Sequence, residues 1–186
     1  MVVSIKLNQL IKSFKNLKYS NAECTFNSKT HEHSVENIIG QAGFILKTKN
    51  EINNGCYYIN QPNGCQNPPD FRVYDNNESI DIECKSKKTG YKPMWNSSIP
   101  NYSTFYIFTS QKDNKTLIIQ GKKIITVKLQ KVLNQYKKET KMLQNKYNNR
   151  ILKKLSKSDN PYQIGVYARN MFVQNKHLVD EAVDLE

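Results

Sequence analysis

A strand–turn–strand pattern between Pro68 and Lys88 constrains the fold of this chain more than any other stretch. We expect a short strand after Asp70, a polar turn at residues 75 to 78, and a second strand from Ser79 to about Lys88. Apolar and ionisable residues alternate along the second strand, and a period of two puts them on opposite faces. The apolar residues are Ile80, Ile82 and Cys84, and the ionisable ones are Asp81, Glu83 and Lys85. One face of this strand should therefore lie in the core, and the other is a candidate for catalytic or binding residues.

The length of 186 residues suits one domain with a substantial core. We expect a core over about residues 34–125, a basic helix over about 127–158, and a C-terminal strand with an acidic tail over 161–186. The formal net charge of +12 favours a polyanionic partner such as nucleic acid. Because the chain is rich in Lys, Asn and Ile and has only three arginines, an AT-rich genome would also produce this charge.

The cysteines predict free thiols rather than disulfides or a zinc site. None of the four belongs to a CxxC pair, and the N-terminus lacks the apolar stretch of a signal peptide. We therefore expect a cytoplasmic protein, without a membrane span because no apolar run approaches 18 residues. Cys56 and Cys65, even with a nearby histidine, fit no standard zinc spacing.

Apolar periodicity predicts further elements around the central strands. Residues 4 to 18 have the pattern of an amphipathic helix. A second helix is expected to begin near Ser34 as its N-cap, with Glu36 in the first turn. Residues 104–110 and 117–125 should form a hairpin beside the central strands. The Asn-, Gly- and Pro-rich stretch 51–69 and the stretch 89–103 predict loops, with a short strand from Cys56 to Ile59.

Positive charge is concentrated near the C-terminal third. Residues 127 to 158 have helical apolar spacing and hold ten basic residues against one acidic residue, which is most of the net charge. This segment is either a phosphate-binding face or an ordinary solvated helix face. A last strand is expected from about Tyr162 to Val173, before the acidic tail.

Among three (D/E)xK tripeptides, only Glu83-Cys84-Lys85 lies on a predicted strand. The tripeptide that begins at Asp113 falls in a predicted turn. The one that begins at Glu139 falls on a helix, where residues i and i+2 point about 200° apart. On a strand, Glu83 and Lys85 project the same way about 7 Å apart. With Asp70 arriving on the neighbouring strand, two carboxylates and an amine converge.

Such a convergence suits phosphodiester hydrolysis. Asp70 and Glu83, with the backbone carbonyl of Cys84, would hold Mg²⁺, which polarises the phosphate and lowers the pKa of a bound water. Lys85 would orient or deprotonate that water and add a positive charge near the transition state. The alternative is a surface salt-bridge ladder of Asp70 and Glu83 with Lys85 and Lys87.

Pro69-Asp70, Glu83-Cys84-Lys85 and an upstream helix with Glu36 together resemble the PD-(D/E)xK nuclease superfamily. The likeness covers roughly residues 34 to 125, and residues 83–86, 93–97 and 106–108 look like small type II restriction endonucleases. The resemblance implies an α/β fold with a central mixed sheet flanked by helices. It implies Asp70, Glu83 and Lys85 as catalytic residues and Glu36 as a supporting acidic residue. Asp81, on the face of Glu83, is the rival second ligand.

The residues that follow the catalytic strand are candidates for DNA contacts, because they would lie next to the bound phosphate. They are Lys87, Lys88, Lys92, Trp95, Asn96 and Ser97, with Arg169 as a second candidate for a guanine contact. Trp95 would either pack on a sugar or base or anchor its loop on the core. By resemblance, the partner is palindromic double-stranded DNA and the enzyme is a homodimer.

The sequence thus predicts a magnesium-dependent type II restriction endonuclease. A repair or recombination nuclease on the same core is a second hypothesis, although the long loops favour sequence-specific cleavage. A catalytically silent DNA-binding protein that uses the basic helix is a third hypothesis.

Overall fold

Six strands form a mixed central sheet in the computed structural model, which describes residues 4–18, 28–51, 54–65, 67–90, 92–96, 99–154, 165–168 and 171–173. The sheet strands are β1 (Ile45–Leu46), β2 (Cys56–Asn60), β3 (Phe71–Asp75), β4 (Glu78–Lys87), β6 (Phe105–Ser110) and β7 (Lys115–Gln120). Their spatial order is β1-β2-β3-β4-β6-β7. Two short strands, β5 (Met94–Asn96) and β8 (Met171–Val173), pair antiparallel in a second sheet.

Both predicted strand pairs at the centre of the sheet are confirmed. β3 and β4 pair antiparallel around a turn at Asn76 and Asn77, where Asn76 has a φ of 53° that asparagine tolerates well. β6 and β7 form the predicted hairpin, and β6 pairs parallel with β4. β4 is therefore a central strand, with neighbours on both sides.

Two helices cover the apolar face of the sheet. They are α1 (Ile5–Ser13), which continues as a 3₁₀ turn, and α2 (Ser28–Gln41). The hydroxyl of Ser4 caps α1 by accepting the N–H of Leu7 at 3.2 Å. Residues of both helices form one core with strand residues of the sheet, including Leu10, Ile39, Phe71, Ile82, Cys84 and Ile107. The predicted α/β architecture of a mixed sheet flanked by helices is confirmed at this level.

The start of the second helix differs from the prediction. α2 begins at Ser28 and not near Ser34. Ser34 lies within the helix, where its hydroxyl donates to the carbonyl of Thr30 at 2.9 Å instead of capping a free N–H. Glu36 consequently lies in the third turn and not the first.

The second strand of the hairpin also ends earlier than predicted. β7 ends at Gln120, and the short helix α3 (Gly121–Ile124) replaces the rest of the predicted strand. A Cβ at Gly121 would lie 1.7 Å from the carbonyl oxygen of Asn101, so the chain can turn this tightly only with glycine.

The predicted basic helix corresponds to α4 (Val127–Lys146), which Thr126 caps through the N–H of Leu129. Residues Tyr147–Leu152 continue it with π-helical hydrogen bonds. Residues 155–158 lie outside the described residues, as do 162–164, 169 and 170 of the predicted last strand. Residues 165–168 are not in a strand, so the predicted strand is wrong there and only its end forms one, β8. Phe172 of β8 packs edge-on against Tyr136 with ring centroids 6.2 Å apart.

Within the described residues, none of the helices has the combined length and apolar character needed to cross a membrane. Cys56, Cys65 and Cys84 are free thiols there, and Cys24 lies outside the description.

Candidate active site

β3 and β4 separate at the end of the sheet that carries the predicted catalytic residues. The last antiparallel pair between the two strands joins Phe71 to Ile82. Beyond this pair, β4 continues to Lys87 alongside β6. One backbone edge of this part of β4 is therefore left open toward the chain that precedes β3. Asp70 is the residue before β3 and arrives at this opening, level with Glu83.

Asp70 binds the open edge of β4 directly. Its Oδ2 accepts a hydrogen bond from the backbone N–H of Cys84 at 2.7 Å. Its own carbonyl accepts the N–H of Gln61 at 2.6 Å, which fixes the chain on the other side. Because the N–H and C=O of one strand residue point the same way, the Cys84 carbonyl also faces the opening.

Glu83 and Lys85 project from β4 on the face opposite the helices and contact each other. The Nζ of Lys85 donates to Oε1 of Glu83 at 2.6 Å. The side chain of Glu83 is only 8% exposed, whereas that of Lys85 is 21% exposed. The other carboxylate oxygen, Oε2 of Glu83, is buried without a hydrogen-bond partner among the described residues. A buried charged oxygen of this kind is costly unless a further cation or water binds it.

Burial raises the pKa of both carboxyl groups. For Asp70, the charge of Glu32 raises the pKa further, while the N–H of Cys84 and the charge of Lys85 lower it. For Glu83, the ammonium of Lys85 opposes the effect of burial, while the charge of Asp70 adds to it. Two like charges are thus held close together in a partly dry site, an arrangement typical of functional sites.

These shifts predict that removing the charge at Asp70 stabilises the protein at neutral pH. A carboxyl group with a raised folded pKa stabilises the fold below its unfolded pKa of about 4, and this stability is lost as the pH rises through the folded pKa. Asp70→Asn has no charge to lose, and its amide oxygen can still accept the N–H of Cys84. Thermal unfolding in EDTA should therefore show an equal melting temperature near pH 3 and a higher one for the variant at pH 7. A difference in melting temperature that is the same at both pH values would contradict a raised pKa of Asp70.

The Cys84 thiol belongs to the core and not to the site. Its side chain is 9% exposed and lies among the apolar residues under the helices. Burial raises the pKa of this thiol well above its usual value, so it stays protonated and unreactive. Only the backbone of Cys84 takes part in the site.

The carboxylate of Glu36 contacts β2. Its Oε1 accepts hydrogen bonds from the hydroxyl of Tyr58 at 3.1 Å and from the amide of Asn60 at 3.3 Å. Burial, followed by the charge of Glu36, raises the pKa of Tyr58 to about 12. The predicted role of Glu36 beside the metal is therefore not supported, because its carboxylate is engaged with β2.

Glu32, one turn earlier on α2, is the acidic residue that sequence reasoning missed. On one side of it, Nε2 of His31 contacts the carbonyl of Ile107 on β6 at 3.1 Å. On the other side, Glu36 contacts β2. α2 therefore runs across the sheet from β6 to β2, and Glu32 lies between these two contacts along the helix. The charge of Glu32 raises the pKa of both Asp70 and Cys84, in agreement with this position.

Asp81 forms a salt bridge with Arg72 on the neighbouring strand. Its two carboxylate oxygens face the Nε and Nη2 of Arg72, its cross-strand partner, and the Nη2–Oδ2 distance is 3.0 Å. Because this carboxylate already has a bidentate cationic partner, Asp81 is a weaker candidate than Glu83 for a metal ligand.

The structure gives Trp95 a structural position. The ring is 2% exposed and packs edge-on against Tyr106 with centroids 5.0 Å apart. The Nζ of Lys85 lies 5.9 Å from the centroid of the same indole. The buried ring favours the alternative of a loop anchor over contact with a sugar or base. Because it contacts Lys85, Trp95 also borders one side of the site.

The other predicted DNA contacts lie near the site or outside the description. Lys87 follows Lys85 on the same face of β4 and donates to the carbonyl of Lys92 at 3.1 Å. Lys88 is exposed directly after β4. The backbone of Asn96 belongs to β5, while its side chain, Ser97 and Arg169 lie outside the described residues.

The donor set of this site fits Mg²⁺. In the described ranges, no group of three or more His, Cys, Asp and Glu side chains is close enough to hold a metal ion. Mg²⁺, however, typically binds through one or two carboxylates and completes its shell with waters and substrate phosphates. Asp70, Glu83 and the carbonyl of Cys84 offer such a partial shell. The unpartnered Oε2 of Glu83 is available to bind a cation or a water.

The surface-ladder alternative accounts poorly for these contacts. A surface ladder predicts exposed carboxylates paired with lysines. Glu83 is instead buried, Asp70 accepts a backbone N–H, and Lys87 binds a carbonyl. Only the pair of Glu83 and Lys85 matches that alternative.

Comparison of the chain with protein-family models, with curated proteins and with solved structures gave no match. The resemblance to the PD-(D/E)xK superfamily therefore remains a prediction, and the interpretation of the site depends on its own geometry.

Proposed function

We propose that this protein is a magnesium-dependent endonuclease that hydrolyses phosphodiester bonds in double-stranded DNA. The observation that carries the proposal is the opening between β3 and β4. There Asp70 binds the backbone of Cys84 at 2.7 Å, while the half-unsatisfied carboxylate of Glu83 contacts Lys85 at 2.6 Å. A buried carboxylate, a half-buried one and an amine held together are costly to the fold, and phosphodiester hydrolysis uses all three.

Each residue has a distinct role in this proposal. Asp70 and Glu83, with the Cys84 carbonyl, would hold Mg²⁺, which when bound supplies Lewis acidity and lowers the pKa of a bound water. Lys85 orients the attacking water and places a positive charge beside the transition state. Glu32 adds negative charge near Asp70, which favours a bound cation.

Type II restriction activity is the more specific form of the proposal. The support comes from the sequence resemblance and from the segment between β4 and β6, which carries β5 and follows the catalytic strand directly. Cleavage of both strands at a palindromic site by a twofold dimer belongs to the same proposal. A repair nuclease on the same core would cut without a fixed sequence, so mapping the cut ends separates the two.

Lysines that contact DNA phosphates should be identifiable from the salt dependence of binding. Each lost phosphate contact lowers the slope of log K against log salt by about 0.9. We expect Lys88→Gln combined with Lys92→Gln to lower the slope by up to about 1.8, measured by fluorescence anisotropy in Ca²⁺ with labelled duplex DNA. The matched double variant, Lys131→Gln with Lys138→Gln on α4, tests the basic helix as the alternative surface.

The two double variants decide which surface carries the phosphate contacts. A slope that falls only in the Lys88 and Lys92 variant places DNA beside the candidate site. A slope that falls only in the α4 variant favours the hypothesis of a DNA-binding protein that uses the basic helix and contradicts the proposed DNA path.

A further inference from the structure

α4 carries an apolar stripe that the described part of the chain leaves exposed. None of its 20 residues is buried. Large apolar side chains recur along it and its π-helical continuation at three- and four-residue spacings, which puts them on one side of the helix. They are Leu129, Val132, Tyr136, Leu143, Tyr147 and Ile151, and each is 38–59% exposed. We call these six residues the apolar stripe.

Polar side chains of α4, and Tyr136 of the stripe, contact the rest of the protein. Oε1 of Gln130 accepts the N–H of Tyr102 at 3.0 Å, and Oε1 of Gln144 accepts the N–H of Ala168 at 3.0 Å. The side chain of Asn148 binds both the N–H and the carbonyl of Val166 at 2.8 Å. The helix is therefore held mainly by polar contacts, while the six side chains of the stripe stay 38–59% exposed. An exposed apolar surface of this kind marks an interaction site.

A basic, partly apolar groove runs beside the stripe. Its volume is about 590 Å³, and its lining includes Met142, Leu143, Lys146 and Arg150 together with one acidic residue, Glu139. α4 itself holds six lysines and one glutamate. A ligand of this surface should therefore combine apolar side chains with negative charge.

The chain contains one segment with that composition. Residues 174–186 hold four acidic side chains and one lysine. Its apolar residues Leu178, Val179, Ala182, Val183 and Leu185 recur at the spacing of one helix face. The segment starts directly after β8, and Phe172 of β8 already contacts Tyr136 in the middle of α4. Thirteen residues in helical form span about 20 Å, compared with about 30 Å for α4.

We propose that the acidic segment 174–186 of this chain docks on the apolar stripe of α4. Leu178, Ala182 and Leu185 would cover the stripe, and the acidic side chains would lie toward the lysines that flank it. A second copy of the chain is the rival occupant. Two copies of α4 would bring like charges together, whereas the acidic segment has the opposite charge. This inference is independent of the proposed nuclease activity.

Amide hydrogen exchange of the full-length chain tests the docking without DNA or metal. We expect residues 178–185 to exchange at least tenfold more slowly than an unstructured peptide of the same sequence. Val132→Asp combined with Leu143→Asp should abolish this protection while the amides of β4 remain protected. Both positions are more than half exposed, so the substitutions should not unfold the protein. Val127→Asp is the matched control, because Val127 is 47% exposed but lies on the opposite side of the helix from the stripe.

Sedimentation of the same variants distinguishes the two occupants. Loss of protection in the double variant at unchanged molecular mass, with protection kept in Val127→Asp, supports docking within the chain. Unprotected exchange of residues 178–185 in the native chain overturns the proposal. So does a double variant that turns a dimer into a monomer without changing exchange in this segment, because the stripe is then a subunit interface.

Discussion

Asp70→Asn is expected to lower the rate of Mg²⁺-dependent cleavage of plasmid DNA by about a thousandfold or more, the loss expected when a metal ligand worth several kcal/mol is removed. The amide oxygen can still accept the N–H of Cys84, so the opening between β3 and β4 should keep its shape. Loss of activity would then reflect the missing charge and not a misfolded site. Agarose-gel conversion of supercoiled plasmid measures the rate.

Asp113→Asn is the matched control for this variant. Asp113 begins another tripeptide of the same pattern, but it lies in the turn between β6 and β7, where it accepts the hydroxyl of Ser110. Its replacement should leave cleavage unchanged. Millimolar Mg²⁺ should also raise the melting temperature of the native chain and of Asp113→Asn, but not that of Asp70→Asn. Equal cleavage by Asp70→Asn and the native chain would exclude Asp70 from the site.

Lys85→Ala should reduce cleavage by about 10²–10⁴-fold, the range for loss of a general acid–base group, while DNA affinity in Ca²⁺ changes little. The reason is that Lys85 is mostly enclosed beside Glu83 and Trp95, where it contributes to chemistry more than to overall charge. Single-turnover cleavage and anisotropy measure the two effects separately. Lys122→Ala, on an exposed lysine of α3, is the control.

Lys85→Arg separates the two roles assigned to this lysine. Arginine keeps the positive charge but does not give up a proton at neutral pH. Activity retained in Lys85→Arg would indicate that charge near the transition state dominates. Activity lost in both variants would indicate proton transfer or precise orientation of the water. Undiminished cleavage by Lys85→Ala would refute the assignment.

The local pattern predicted the strands of the site well, because strand alternation directly reports which face is buried. Ile82 and Cys84 lie in the core, whereas Glu83 and Lys85 lie on the opposite face, as period two requires. The arrival of Asp70 opposite Glu83 followed from a short turn between two strands. In each case, neighbours in the sequence are neighbours in space.

Features that depend on distant packing were not predictable from the same pattern. Ser34 has the residue type of a helix cap, yet α2 starts six residues earlier and so includes Glu32, whose charge acts on Asp70. The spacing of four residues between Glu32 and Glu36 could have indicated Glu32, because it puts both glutamates on one face of a helix. Trp95 is buried because Tyr106, on another strand, receives it. Its partner could not be read from the loop sequence.

Digestion of a sequenced plasmid in Mg²⁺, followed by sequencing of the cut ends, tests the proposed nuclease activity. We expect discrete ends at one short sequence, dependence on Mg²⁺, inhibition by EDTA, and no such ends with Asp70→Asn. Intact plasmid in Mg²⁺, or cleavage that persists in EDTA or in Asp70→Asn, would contradict the assignment of Asp70, Glu83 and Lys85 as a nuclease site.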